Sequence, residues 1–164
     1  MVAELSLLGV GYLTRNEIIE VDPPESMGRF IADLVRQPSS RVRTATIALF
    51  LSHPDYAIFV PAAVTQLRSP HRLFLKCLYT AAVYLQQEHA QSFQEIQPDS
   101  FTWLPDLYSE DLGVLQKPTI AARLISLGQR QQELTGVFAN WPGTYENVVH
   151  HFLRFSELVK IWNQ

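Results

Sequence analysis

The chain carries one cysteine, Cys77, in 164 residues. One thiol builds no intrachain disulfide framework and supplies no multi-sulfur zinc or iron–sulfur site. Charge is also scarce: 18% of residues are Asp, Glu, Lys or Arg, against about 25% in an average globular chain. Hydrophobic residues nevertheless reach 47% and the net charge is −3, so the low-hydropathy, high-charge profile of disorder is missing too. No apolar run approaches the ~18 residues of a membrane span. The longest stretch, Thr44 to Val64, is broken by Ser52, His53, Pro54, Asp55 and Pro61. No basic region precedes an apolar one at the N-terminus: Glu4 comes first and Arg15 follows the apolar residues. A secretory leader is therefore not expected. These absences predict a cytoplasmic protein with no membrane partner.

Signatures of chemistry are missing as well. There is no Gly-x-Ser-x-Gly elbow. Gly9-Val10-Gly11 lacks the third glycine and the following helix of a phosphate loop. Cys77 sits in an apolar helical stretch, where a thiol behaves as a small inert hydrophobe. His150 and His151 are adjacent, and neighbours on a helix point roughly 100° apart, so the two do not easily grip one ion. Glu146 and His150, four apart, could share one. The Glu-x-x-His spacing of di-iron bundles does not occur. The expectation is no catalytic residues, no cofactor and no metal; a non-enzymatic protein is the preferred reading, and an enzyme with a site assembled from scattered residues stays open.

What is present is helical periodicity. Met27, Phe30, Ile31, Leu34 and Val35 mark one face of a first helix, and Pro38 stops it. A second helix, with Ser39 or Ser40 as N-cap, runs to about Ser52. Its body, Ala45 to Leu51, is apolar nearly all round, as in a central buried helix. A third is predicted over Asp55 to Leu67, kinked at Pro61 or starting there. A fourth follows from Pro70 to about Ala90, with Ser69 as N-cap and Pro70 at its first position. Residues 92–117 break the pattern and are expected to form a long ordered loop, with a short turn of helix at 109–112 ending on Gly113. A helix from Pro118 or Thr119 to Gly136, then one from Thr144 as N-cap to the C-terminus, complete the chain. Residues 1–25, interrupted by Gly9, Gly11, Pro23 and Pro24, are expected to form an irregular N-terminal arm.

The fold class expected is all-α: about six helices in one domain over 1–164. The arm at 1–25 leads into a four-helix unit over 26–90, then the loop at 92–117 and two helices over 118–164. Short connections make sequential helices antiparallel neighbours. Two such hairpins resemble units of an α-solenoid such as HEAT repeats, although no internal repeat near the ~40-residue period is visible. The expected architecture is an irregular antiparallel bundle or a short HEAT-like arrangement.

Charge is segregated along the chain. Residues 37–87 hold five bases and one acid, net +4, and residues 88–118 hold six acids and one base, net −5. Arg41 and Arg43 open one helix, while Arg68, His71, Arg72 and Lys76 surround the start of another. These six are the candidate residues for an anion or an acidic partner. Antiparallel hairpins would bring the two helix starts to the same end of the bundle, although pairing with the acidic 88–118 segment competes with that role. A second candidate surface is the aromatic-acidic stretch around Trp103, Leu104, Leu107 and Tyr108, readable as a docking strip or as a loop with its apolar groups turned inward. Abundant aromatics favour an interface, including a homodimer. The functional expectation is a non-enzymatic helical protein-interaction or regulatory protein, with a protein partner or a second copy preferred over nucleic acid. The alternative is a helical nucleic-acid-binding protein using the basic segment 41–76, the companion of a regulator, nuclease or nucleotidyltransferase.

Overall fold

A computed structural model of the chain describes residues 27–99 and 101–162. Among them are seven α-helices and no strand, which is the all-helical class expected. The helices are α1 (Met27–Arg36), α2 (Ser40–Ser52), α3 (Val60–Gln66), α4 (His71–Glu88), α5 (Ala90–Ile96), α6 (Ile120–Thr135) and α7 (Trp141–Trp162). A 3₁₀ segment, Pro54–Phe59, separates α2 from α3. The N-terminal arm expected at 1–25 lies outside the described residues.

Helix α4 is the centre. It packs against every other helix, and twelve of its residues are buried, from Phe74 to Gln86. Helix α2 lies beside it, with Thr44 to Leu51 buried without interruption. That is the outcome anticipated for a helix with apolar residues all round. Each fully buried Leu, Ile or Phe contributes roughly 1.5–3 kcal/mol of transfer free energy, so these two helices carry much of the stability. No helix among the described residues is long and apolar enough to cross a membrane.

Several boundaries differ from the sequence expectation. The third helix divides: Pro61 falls in the first turn of α3, where its missing N–H costs nothing, and the residues before it wind as 3₁₀. Helix α4 begins at His71, with Pro70 in the capping position rather than inside the helix and no cap from Ser69. Ser39 occupies the cap position of α2 but makes no side-chain cap. The loop begins later than 92, because α5 occupies Ala90–Ile96. Its Phe93 is buried and stacks on Phe152 at 5.7 Å. One buried apolar anchor in a seven-residue helix is too weak a periodic signal to read in advance.

At the other end the expectations fare differently. Thr119 caps α6, its Oγ1 accepting the Ala122 N–H at 3.2 Å. Gly136 ends α6 with φ 68°, a left-handed conformation that glycine adopts without a Cβ penalty. Helix α7 starts at Trp141, earlier than Thr144, because Asn140 is the cap: its Oδ1 accepts the Gly143 N–H at 3.1 Å. A Cβ at Gly128 would lie 2.6 Å from Pro142 Cδ, so this glycine lets the first turn of α7 close onto α6.

Residues 101–119 are ordered and held from within. Gln86, itself buried, donates to the Thr102 carbonyl at 2.8 Å and accepts from the Leu104 N–H at 2.7 Å. Tyr79 donates to the Pro105 carbonyl at 2.8 Å, and Tyr84 donates to Ser109 Oγ at 2.5 Å. Leu104, Leu112 and Val114 enter the core. Residues 109–112 form turns rather than a helix, closed by the Val114 N–H on the Ser109 carbonyl, with Gly113 at φ 71°.

Candidate functional site

Three features of the chain build a cleft between α2 and α7. Pro38 and Ser39 place the start of α2 at the surface without a side-chain cap. Gly136 turns the chain out of α6. The Trp141 indole donates to the Val137 carbonyl at 3.0 Å and fixes the reversal. Val137, Ala139 and Trp141 then face the first turn of α2 across a cleft of about 650 Å³. Its other walls are Ser40, Arg41, Arg43 and Thr44 from α2, and Thr144, Asn147, Val148 and His151 from α7. Two arginines and a histidine line it, and among the described residues no acid does.

The two arginines are placed differently. Arg43 is half-buried. Its Nη1 donates to the carbonyls of Gln37 and Pro38 at 2.7 and 3.0 Å, and its guanidinium lies 5.4 Å from the centroid of the Phe74 ring. Arg43 therefore brings the starts of α2 and α4 together, as the antiparallel expectation required, and is held rigidly while doing so. Arg41 is exposed. Phe138, between two lining residues, is 83% exposed.

The remaining cations of the basic segment do not join this cleft. Arg72 donates from Nε to the Leu67 carbonyl at 2.9 Å and ties off the end of α3. Lys76 pairs with Asp111 and lies 5.2 Å from the centroid of the Tyr108 ring. Arg68 is exposed between α3 and α4, and His71 is half-buried at the start of α4. The proposed docking strip also divides. Trp103 is 51% and Leu107 38% exposed, while Leu104 is buried and Tyr108 packs partly against the core.

Ionisable groups in the interior are kept neutral by burial. Burial pushes the Cys77 thiol up to about 12, outweighing the opposing pull of Arg130 and Lys76. Burial raises Tyr79 and Tyr145 strongly too, with smaller contributions from Tyr108 and Asp106 for the former and Cys77 for the latter. The Tyr145 hydroxyl donates to Gln131 Oε1 where α6 meets α7. A thiol held this way is a poor nucleophile, in keeping with the inert role expected of Cys77.

One side-chain cluster was not foreseen. His89, at the junction of α4 and α5, meets Glu146 and His150 of α7: His89 Nε2 lies 3.2 Å from Glu146 Oε2, and His150 Nε2 lies 3.7 Å from the same oxygen. The sequence offered Glu146 and His150 as an i, i+4 pair. His89 is 57 positions from Glu146, and only the packing of α7 on the α4–α5 junction joins them. Comparison of the chain with known proteins finds no matching family model, no matching curated protein and no matching solved structure.

Proposed function

We propose that this chain is a protein-interaction module that receives an acidic segment of a partner protein in the cleft between α2 and α7. The carrying observation is the lining of that cleft: among the described residues it holds Arg41 and Arg43 with no acid, beside the apolar surfaces of Val137, Trp141 and Val148. A carboxylate is attracted by this charge and by the uncapped N–H groups of the first turn of α2. An apolar neighbour of that carboxylate finds the valines and the indole. Arg43 is held in advance by two carbonyls and a ring, so little side-chain freedom remains to be lost on binding. The reading assigns the chain no catalysis. Its working compartment is the cytoplasm, where the lone Cys77 thiol stays reduced.

The partner is protein rather than nucleic acid in this reading because the basic segment is divided: Arg72 and Lys76 are engaged within the chain. The test is fluorescence anisotropy with two probes, a labelled peptide alternating glutamate and leucine and a labelled single-stranded RNA. Saturable peptide binding that Arg41→Ala weakens about tenfold supports the reading. RNA binding that falls steeply with salt, with no peptide binding, replaces it with the nucleic-acid alternative. Binding of neither probe, with a dimer by light scattering, makes a second copy the occupant and overturns the acidic-segment reading.

A further inference from the structure

We propose that His89, Glu146 and His150 form a binding site for a divalent transition-metal ion, Zn(II) by its donor chemistry. The three donor atoms lie within 4.8 Å of one another. Among the described residues this is the one group of three or more His, Cys, Asp or Glu side chains gathered in this way. Metal–ligand bonds of roughly 2.0–2.1 Å in a tetrahedron place neighbouring donors roughly 3.4 Å apart. The two separations to Glu146 Oε2 are 3.2 and 3.7 Å, on either side of that spacing. The imidazole rings of His89 and His150 are 6.0 Å apart and nearly perpendicular, at 79°. They do not stack, and both turn Nε2 toward the same carboxylate oxygen.

The scaffold is suited to hold these donors. Glu146 and His150 project from one face of α7 at i, i+4, where side chains are neighbours. His89 is fixed between two helices, its backbone N–H bonded to the Leu85 carbonyl and its own carbonyl accepting the Phe93 N–H. Two imidazoles with one carboxylate select first-row transition metals over calcium or magnesium, which prefer all-oxygen sites. Three protein ligands leave a further position for water or a ligand atom. His150 has 67% of its side chain exposed, so an ion can enter from solvent. Glu146 also borders a recess of about 240 Å³ with Glu88, Leu124, Ile125 and Pro142, and Glu88 adds negative charge there. An ion at this place ties the middle of α7 to the α4–α5 junction and therefore stabilises the folded chain.

The experiment uses the full chain without an affinity tag, stripped by chelator and titrated calorimetrically with Zn(II), then with Co(II) while the visible spectrum is followed. The expected result is one saturable site per chain, Co(II) absorption bands of a low-coordinate nitrogen–oxygen site, and a higher unfolding temperature with Zn(II) but not with Mg(II). Even outer-shell partners of a metal typically cost about 10–100-fold in affinity when removed, so His89→Ala and His150→Ala should each weaken Zn(II) at least about 100-fold. His71→Ala should leave the affinity unchanged. If His89→Ala fails to fold, judged by circular dichroism without metal, the exposed His150→Ala and the charge-removing Glu146→Gln decide the matter. Absence of saturable binding, or full affinity in His150→Ala and Glu146→Gln, overturns the proposal. Both outcomes are read on the metal alone and are independent of peptide binding in the cleft.

Discussion

The first turns of α2 and α4 carry similar sequences. Each follows a proline and a serine, Pro38-Ser39 before α2 and Ser69-Pro70 before α4, and brings cations within its first two turns: Arg41 and Arg43 in one, Arg72 and Lys76 in the other. Their surroundings differ. The start of α4 is covered by the turns at 108–114 and the end of α3, which supply Asp111 to Lys76 and the Leu67 carbonyl to Arg72. The start of α2 meets the 136–140 reversal and α7, which supply valine, alanine, tryptophan, asparagine and histidine but, among the described residues, no carboxylate. The same kind of helix start is closed off within the chain in one place and left facing a cleft in the other. What packs across from a cation, more than the cation itself, sets its role.

Phe74 links the two starts, so its removal breaks the comparison most severely. Its ring lies under the Arg43 guanidinium and meets the Trp141 ring edge-on at 5.9 Å. Phe74→Ala should cost about 3–5 kcal/mol, read by urea unfolding, and should loosen the cleft. A loss below about 1 kcal/mol would show that the two starts are independent.

The next effect is alkaline. Cys77 rises from an ordinary 9.0 to about 12 in the fold, and Tyr79, Tyr84, Tyr108 and Tyr145 are raised as well. The unfolded chain therefore releases these protons first. Their contribution is complete below pH 9 and declines from there toward pH 12, by up to about 1.4 kcal/mol per pH unit for each such group. Urea midpoints at pH 8, 9.5 and 11 should fall in that order, and Cys77→Ala should flatten the early part of the slope. A midpoint constant to pH 11 would contradict the buried, neutral state of these groups.

Lys76→Ala sharpens the comparison on the closed side. The side chain of Lys76 is 18% exposed and that of Asp111 58%, so the pair is partly screened and worth about 0.2–1 kcal/mol. Thermal unfolding should register that loss, and anisotropy with the acidic peptide should be unchanged. On the open side Arg41→Ala should alter stability by no more than about 0.5 kcal/mol while weakening the peptide. Equal effects of the two substitutions on peptide binding would erase the distinction between the starts.

Much of the helical layout was legible because it rests on local chemistry. The i, i+3, i+4 pattern from Met27 to Val35, the unbroken apolar body of α2, the helix start at Pro118 or Thr119 and the Gly136 terminator each act within one or two turns. Features set by competition between neighbours were less legible. Asn140 rather than Thr144 caps α7, and α5 rests on the burial of Phe93 against Phe152. Of the candidate sites, the sequence named Arg41 and Arg43 but gave no reason to separate them from Arg72 and Lys76. It named Glu146 and His150 without their third member.

The sequence by itself determined an all-helical fold with α2 inside it, because apolar periodicity and proline and glycine punctuation are local and need no partner to be read. Only the tertiary structure decided which charges meet. The electrostatics of a side chain depend on what lies within a few ångströms, and packing sets those neighbours across tens of residues: Lys76 to Asp111, Arg43 to Phe74, His89 to Glu146. The scarcity of charge makes each such meeting count, since few other ions are present to screen or replace it.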